Sequence, residues 1–395
     1  MPRNATPRRT GDCPMHTMLV QSSAQHLRTG LGFAYGTVRS QTSIFEYRKY
    51  QLVQVTVVRP DELGPTERQL WLTYQQASLA TLSPYMSFTF AQAVGRHRSS
   101  ARVAVIEDGG VIQAFLPFET SAQKIAGPIG QPMNDLQGFV GLGAPIDARS
   151  VIRKAGLRGW RFDHVPVGQE ALTPYHHHGT MVRAPVIDIS HGYHSYVDSH
   201  NRRGAKRIAE KQRSLQRRLG SISLVWRSSD EEHLRQLITW KSGKYSGTRR
   251  LFSEEPNALQ IVQDLATSDS EDCAGVVSVL CAGERAVAIH LGLLGPMGLY
   301  SWMPSYDSEL NRFSPGLLMW MPLIGEAAAR NIPRIDLGYG QHSYKFDLAN
   351  DSYPVAGGAI WASKTERQIR KLYRQFFYDK RAVREQAPDS NKDGS

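Results

Sequence analysis

The chain has 395 residues, 41% of them hydrophobic and 21% charged, and its formal net charge is +11. This length can bury a large core, which excludes a small domain held together by metals or disulfides and fits two domains or two fused halves. Three cysteines in no pattern indicate a reducing compartment, no apolar run could span a bilayer, and the N-terminus lacks a signal-peptide core. We therefore expect a cytoplasmic protein.

The two ends of the chain are polar. Residues 1–45 are rich in Arg, Thr and Ser without a sustained period, and residues 381–395 are polar as well. We predict that both segments are disordered because they cannot bury enough apolar surface. Between them, residues 46–187 and 188–380 resemble each other in outline, and we predict that each forms one half of the protein.

The first half contains alternating strand and helix patterns. Its strongest signal is a hairpin at 102–119, where two β-rich runs are joined by Asp108, Gly109 and Gly110. The other predicted elements are a strand at 51–58, a helix at 67–82, a short helix at 146–156 and a strand at 159–167.

The second half repeats this outline. One long basic helix is predicted over 193–220, ended by Gly220, and it is followed by a strand and another helix. Three strands with turns at Gly283 and near Gly295 fill 275–304, and a late strand lies at 354–362. Both halves thus show a helix, a β-meander, a helix and a closing strand, without strict βαβ alternation. The predicted fold class is a mixed α/β fold, duplicated along the chain.

Positive charge is concentrated in the predicted long helix. Between Arg202 and Arg218 there are eight Lys or Arg residues against the single Glu210. Such a helix can attract nucleic acid, acidic lipid or an anionic ligand, or simply present a solvated face, and the charge alone selects none of these.

The segment 313–346 carries the clearest chemistry. Ser314 is a favoured N-cap, Pro315 suits the first helical position, and Gly316 lets a ligand approach the backbone. This helix start can hold a phosphate through its unpaired N–H groups, and Lys345 can return to the same anion. Pro322 falls inside the predicted helix and predicts a kink around 319–322.

A series of motifs resembles a known family. The motifs are HLGL at 290–293, YSWMPSYD at 300–307, SPGLL at 314–318, DLGYG at 336–340 and YK at 344–345. In this order they resemble the GNAT-type acetyltransferases of the CelD/BcsL group, linked to cellulose and exopolysaccharide biosynthesis, and more distantly the Fem aminoacyl transferases. The resemblance implies a tandem GNAT-like fold with two mixed-sheet halves, the second of which binds an acyl-CoA.

The resemblance also implies a donor site. In GNAT folds the helix after the central strand begins with a glycine-bearing turn whose N–H groups bind the CoA pyrophosphate. Here that place is taken by five residues: Ser314, Pro315, Gly316, Leu317 and Leu318.

Direct acyl transfer needs a base, donors for the oxyanion and a proton for the leaving thiolate. We predict His290 as the base, with Asp336 as a competing base or as an anchor of the Gly338–Gly340 loop. Lys345 is the candidate for neutralising an oxyanion or phosphate, and Tyr344 for donating a proton to the thiolate. The acceptor side is predicted to include Trp240, Trp302, Tyr306 and Asp307.

The predicted reaction uses acetyl-CoA or another acyl-CoA, no metal and no DNA, and acts on an amine or hydroxyl of a sugar or polysaccharide precursor. Residues 176–178 are three consecutive histidines, which we interpret as a loop feature because they cannot all face one ion. Two alternatives stay open. One is a Fem-like transferase that uses aminoacyl-tRNA and grips RNA with the basic helix, and the other is a catalytically silent, partner-binding GNAT-like protein.

Overall fold

The protein is described by a computed structural model, which covers residues 53–141, 146–177, 179–199, 202–244, 246–255, 257–340, 342–366 and 368. The disorder predicted for 1–45 and 381–395 concerns segments outside these residues. Among the described helices, none combines the length and apolar character needed to cross a membrane.

One mixed sheet of fourteen strands runs through the described part of the chain. Its strands are β1 (Gln54–Val58), β2 (Ala101–Asp108), β3 (Val111–Thr120), β4 (Ile125–Pro128), β5 (Val140–Gly141), β6 (Gly159–Pro166), β7 (Val182–Asp188), β8 (Ile222–Val225), β9 (Asp269–Ser270), β10 (Cys273–Ala282), β11 (Arg285–Gly295), β12 (Gly298–Tyr306), β13 (Arg334–Asp336) and β14 (Asp351–Trp361).

The order of the strands is symmetric about the centre of the sheet. It reads β1-β2-β3-β4-β6-β14-β7-β13-β12-β11-β10-β8, with β5 beside β3 and β9 beside β10. The final strand of each half lies in the other half: β7 pairs with β13, and β14 pairs with β6 as well as β7. The predicted duplicated mixed α/β fold is therefore confirmed, and the two halves are joined by exchanged strands into one sheet.

Helices cover both faces of the sheet. They are α1 (Pro65–Gln76), α2 (Phe88–His97), α3 (Ala148–Lys154), α4 (Tyr193–Ser199), α5 (Arg202–Leu219), α6 (Glu231–Lys244), α7 (Ser246–Glu254), α8 (Ala258–Thr267), α9 (Pro315–Leu318), α10 (Trp320–Ala329) and α11 (Ser343–Leu348). The predicted long basic helix corresponds to the helical segments α4 and α5, which flank residues 200 and 201 outside the described ranges. Gly220 ends α5 with a φ of +105°, in the conformation that glycine adopts most easily.

Three apolar clusters hold these layers together, each built around a tryptophan that is at most 2% exposed. On one face α1, α2, α6 and α8 share a cluster that includes Trp71 and spans both halves. On the other face α3 packs around Trp160 in the first half, and α4, α5 and α10 pack around Trp320 in the second. The shared cluster fixes the first half against the second, which allows both to contribute to one site.

The kink predicted near Pro322 is present as a break between α9 and α10 at Met319. Pro322 lies in the first turn of α10, where its missing N–H removes no helical hydrogen bond from that helix. The N–H of Leu323 bonds the Met319 carbonyl at 3.2 Å and restarts the helical pattern. The proline is accommodated because the helix begins anew just before it.

Candidate active site

Two parallel strands part near the centre of the second half. β12 and β13 pair only at Leu299–Ile335 and Tyr300–Asp336. Beyond these pairs β12 continues as a strand, whereas β13 ends and the polypeptide enters a glycine-bearing loop. We call the space between residues 301–306 and residues 337–340 the slot.

A narrow cleft lies where the slot meets the first half. It contains side chains from both halves, among them Asp135 and Tyr85 from the first half and Asp336 from the second. The full lining is Tyr85, Asp135, Leu136, Ala184, Tyr300, Ser301, Asp336, Gly338, Tyr339, Tyr353 and Val355. The cleft is therefore a composite site, rich in tyrosine and containing two carboxylates.

Asp135 is the carboxylate that remains available for chemistry. It is partly buried, and no hydrogen bond to its carboxylate is found among the described residues. Burial raises its pKa to about 7 and the neighbouring Asp336 adds to the increase, whereas Lys345 opposes it. A Cβ placed on Gly338 would lie 2.9 Å from Asp135 Oδ2, so the carboxylate sits against the loop backbone. A carboxylate with a pKa near neutrality suits a general base at physiological pH.

Tyr85 places a hydroxyl in the same cleft. Its side chain is 2% exposed, and its hydroxyl has no hydrogen-bond partner among the described residues. Burial raises its pKa well above the usual value, and Asp135 and Asp336 raise it further, so the phenol stays protonated. A buried, protonated donor without a partner is available to a bound molecule.

Lys345 faces the carboxylates from the loop side. Its Nζ donates to the carbonyl oxygens of Tyr339 at 2.9 Å and Gly338 at 3.3 Å. Burial lowers its pKa, while Asp135 and Asp336 raise it. The ammonium is thus fixed beside Asp135 and can stabilise negative charge that develops in the cleft.

Asp336 anchors the loop, which is the second of the two roles predicted for it. Its Oδ1 accepts the Gly338 N–H at 2.8 Å, and its Oδ2 accepts the Tyr353 hydroxyl at 2.6 Å. The side chain is 1% exposed, and burial raises its pKa although these hydrogen bonds oppose the shift. Because both oxygens are used, Asp336 is poorly placed to take a proton from an acceptor.

Lys241 enters the slot from α6. Its Nζ donates to the Pro304 carbonyl at 3.2 Å on the exposed edge of β12. Burial, followed by the charge of Lys345, lowers its pKa to about 8, although Asp135 opposes the decrease. The slot thus contains two cations within electrostatic range of one carboxylate.

The structure does not support His290 as the base. Its side chain is 0% exposed, its Nε2 lies 3.0 Å from Ser301 Oγ, and its ring packs on Trp320. Burial, followed by the charge of Lys241, lowers its pKa to about 3. The imidazole is therefore neutral and enclosed, and it supports Ser301 from behind the cleft.

We expect His290→Ala to act mainly on stability. Loss of the ring leaves a cavity beside Trp320 and an unpaired Ser301 hydroxyl, which should lower the free energy of unfolding by about 2 kcal/mol. Urea unfolding measures this effect. A variant with wild-type stability and abolished turnover would instead restore the catalytic role.

The helix start at 314–318, predicted to bind a phosphate, differs from expectation. Ser314 has a φ of +55° and makes no side-chain cap, and its carbonyl accepts the N–H groups of Leu317 at 2.9 Å and Leu318 at 3.1 Å. Pro315 has no N–H. Of the predicted donors, Gly316 thus contributes the backbone N–H that this turn leaves for a ligand. The helix start is less rich in donors than predicted because Pro315 has no N–H and the N–H groups of Leu317 and Leu318 bond the Ser314 carbonyl.

Tyr306 connects this helix start to α6. A Cβ on Gly316 would lie 2.6 Å from Tyr306 Cδ1, and Lys244 Nζ lies 3.4 Å from the centre of the tyrosine ring. Gly316 is therefore required by the packing of Tyr306. Lys244 of α6 thus brings a second cation to this end of the slot, in addition to Arg312 in the sequence before Ser314.

The remaining predicted residues hold the scaffold. Asp307 accepts the Glu309 N–H at 2.9 Å and pairs with Arg285, so it shapes the turn after β12. Trp302 donates its indole N–H to the Met133 carbonyl at 3.0 Å, and Trp240 packs into the cluster shared by both halves.

Tyr344 packs on Trp320 and His342, in contact with the apolar cluster of the second half rather than beside Lys345. The structure thus separates the predicted Tyr344–Lys345 pair, because the two side chains leave the short helix α11 in different directions.

Sequence reasoning missed Asp135, Tyr85 and Lys241. Asp135 lies in a Gly- and Pro-flanked loop of the first half, and its only local signal is an Asn-Asp pair after Met133. A carboxylate in such a loop resembles an ordinary turn residue. The position of Asp135 in the cleft becomes visible only when the two halves are brought together.

Part of the second half matches a known domain family. Residues 201–346 match the family described as the acetyltransferase (GNAT) domain, and no curated protein matches the chain. Among solved structures the chain is similar to FemX, with 11% identity, coverage of 80% of this chain and 99% of that chain, and a TM-score of 0.53.

Two further solved structures show lower similarity. One is a tandem GNAT protein from the clavulanic acid biosynthesis pathway (10% identity, 79% and 99% covered, TM-score 0.45). The other is the C-terminal domain of a putative lysylphosphatidylglycerol synthetase from Agrobacterium fabrum (12% identity, 78% and 93% covered, TM-score 0.46).

The protein is an acyltransferase with a tandem GNAT-like fold. The matched range contains β12, the slot and Lys345, whereas Asp135 and Tyr85 lie outside it in the first half. Among the described residues, no group of three or more His, Cys, Asp or Glu side chains could hold a metal ion.

Proposed function

We propose that the protein transfers an acyl group, most simply acetyl, from its CoA thioester directly to an amine or hydroxyl of a sugar or polysaccharide precursor. The observation that supports this proposal is the slot between β12 and the 337–340 loop. Asp135 and Lys345 lie at its inner end, where the slot meets the cleft. The exopolysaccharide setting rests on the resemblance to the CelD/BcsL group.

The residues present fit an acyl-CoA. The slot exposes backbone of β12 for an extended chain, and Gly316, Lys241 and Lys244 place one N–H and two cations along it. The thioester would lie near the unpartnered Tyr85 hydroxyl.

Each group at the inner end has a chemical task. Asp135 takes the proton of the acceptor amine or hydroxyl as the new bond forms. Lys345 stabilises the negative charge that develops on the acyl oxygen, and Tyr85 donates a hydrogen bond or its proton toward the departing sulfur. Cys273 takes no part because it is fully buried, and burial raises its pKa.

The acceptor side has an aromatic rim. Tyr339 lines the cleft, is 41% exposed, and packs on His164 in a tilted arrangement with ring centres 4.1 Å apart. An exposed aromatic face beside carboxylates suits the apolar face and hydroxyls of a sugar ring. In this proposal Tyr339 takes the stacking role predicted for Trp302 and Trp240.

Calorimetric titration with acetyl-CoA tests the donor. We expect binding, and we expect Gly316→Val to weaken it at least about tenfold, because the new side chain displaces Tyr306 and its Lys244 neighbour. Gly247→Val is the matched control, since a Cβ there meets nothing within 4 Å. Absence of binding by every acyl-CoA tried would sink the proposal.

A second candidate function is the aminoacyl-tRNA-dependent transfer suggested by the Fem resemblance, with the basic helix gripping RNA. On α5, Lys206, Arg213, Arg217 and Arg218 are exposed, and this helix packs against α9 at the donor end. Replacing Arg213, Arg217 and Arg218 with Gln distinguishes the RNA-dependent reaction from the acyl-CoA reaction. Salt-dependent tRNA binding that disappears in this variant favours the RNA-dependent reaction, whereas unchanged acetyl-CoA turnover favours the acyl-CoA reaction.

A further inference from the structure

The first half contains a second place where parallel strands part. β4 and β6 pair only at Ile125–Gly159 and Ala126–Trp160, and they occupy the positions of β12 and β13 in the symmetric strand order. By symmetry, the space beyond these pairs is the counterpart of the slot.

A segment of the chain itself fills that space. Residues 129–139, which we call the plug loop, lie between the two strands. Gln131 contacts both sides: a Cβ on Gly127 of β4 would lie 2.9 Å from its Oε1, and its Nε2 lies 3.4 Å from Asp163 Oδ2 of β6.

Gln137 fixes the far end of the plug loop to β6. Its N–H donates to the His164 carbonyl at 3.1 Å, its Oε1 accepts the Asp163 N–H at 3.1 Å, and its Nε2 donates to Asp163 Oδ1. Backbone groups of β6 beyond its pairing with β4 are therefore already satisfied by the plug loop.

The plug loop is internally ordered. Asn134 is 5% exposed, donates to the Ile129 carbonyl at 2.9 Å and accepts the Leu136 N–H at 2.9 Å. Asp135 lies between these two anchored neighbours and faces the cleft of the second half. The same segment that fills one slot thus supplies a carboxylate to the other.

We propose that the plug loop is a built-in occupant of the first half's slot. The chain binds one acyl donor, in its second half, and Gln137 is a positioning residue that holds Asp135 in the cleft. The binding and positioning parts rest on the proposed function, whereas the occupancy of the first slot does not.

Amide hydrogen exchange tests the occupancy without any ligand. The amides of Gln137 and Asp163 should be protected in the full chain, and Gln137→Ala should accelerate exchange at Asp163 at least about tenfold. The control is Gln113→Ala in β3, outside the plug loop, where the side-chain amide donates to the nearby Val111 carbonyl at 3.2 Å. Exchange of both wild-type amides at the rate of an unstructured peptide overturns the inference.

Calorimetry with acetyl-CoA tests the stoichiometry. We expect one molecule per chain in the wild type and no binding in Gly338→Val, since its side chain fills the cleft against Asp135. Two molecules per chain, or one retained in Gly338→Val, overturn the inference. Absence of all acyl-CoA binding instead overturns the proposed function and leaves the exchange result to decide the occupancy.

The positioning role has its own readout. We expect Gln137→Ala to lower kcat about tenfold, leave the Kd of acetyl-CoA unchanged and shift the pH limb assigned to Asp135. A variant with wild-type kcat and an unshifted limb overturns this part.

Discussion

Asp135→Asn should abolish nearly all turnover while leaving donor binding intact. The amide cannot accept the acceptor's proton, and loss of a general base costs about 10²–10⁴-fold in rate. The assay is release of free CoA thiol with a panel of amino sugars, compared with calorimetric binding of acetyl-CoA. Asp347→Asn, an exposed carboxylate on α11, is the matched control.

The pH dependence of turnover tests whether Asp135 is the general base. Because the pKa of Asp135 is raised to about 7, the base is formed as pH rises through that value, and turnover in the wild type should rise with it. Lys241, with a pKa of about 8, should lose its charge on the alkaline side. The residual turnover of Asp135→Asn should lack this rise near pH 7, which we call the limb of the pH–rate profile. A full-rate variant, or one with an unchanged limb, would contradict the assignment.

The same substitution should stabilise the fold above neutral pH. Between the ordinary carboxyl pKa near 4 and about 7, the folded state keeps a proton on Asp135 that the unfolded state has released. Stability therefore falls as pH rises through this window, and the loss is complete above about 7. Asp135→Asn should resist urea better than wild type at pH 8, with the difference shrinking toward pH 4.

Lys345→Met should lower turnover more than any other substitution except Asp135→Asn. It removes the cation fixed by the Gly338 and Tyr339 carbonyls, and loss of one preorganised donor to a developing oxyanion costs about 10²–10³-fold in kcat. It also removes the charge that lowers the pKa of Asp135, so the limb should move above pH 7.

Two comparisons make this result specific. Lys124→Met, at an exposed position in the first half, should leave kcat and the pH limb unchanged. In a double-mutant cycle, Asp135→Asn and Lys345→Met should be non-additive because the two groups serve one step. Additive effects, or an unmoved limb in Lys345→Met, would show that the two side chains act independently.

Much of the sheet could be predicted because its signals are local. The hairpin of β2 and β3 turns at Gly109 and Gly110, which both have positive φ, and β10 to β12 follow turns marked by glycine. The exchange of β7 and β14 between the halves is set by pairing over long sequence distances, and no local pattern encodes it.

The motif series contributes Tyr300, Asp336 and Gly338 to the cleft, but the environment of the predicted residues could not be read from the sequence. Ser314 has the residue type of an N-cap, yet its left-handed backbone directs its carbonyl to the N–H groups expected to bind phosphate. Histidine ordinarily has a pKa suited to a base, but burial of His290 against Trp320 and the neighbouring strands lowers its pKa to about 3. Burial and charge environment decide these roles.

Two residues of the cleft were missed because they come from the first half. Asp135 and Tyr85 are more than 150 residues away from the motif series, in a loop and a short turn without a recognisable pattern. They join Lys345 only through the apolar cluster that both halves share. A site assembled across a duplicated fold is invisible to reasoning along one half.

The structure of the protein bound to acetyl-CoA tests the central claim most directly. We predict one molecule in the slot between β12 and the 337–340 loop, with its thioester within reach of Asp135, Tyr85 and Lys345. A molecule bound between β4 and β6 in place of the plug loop, or a thioester remote from Asp135 and Lys345, would contradict it.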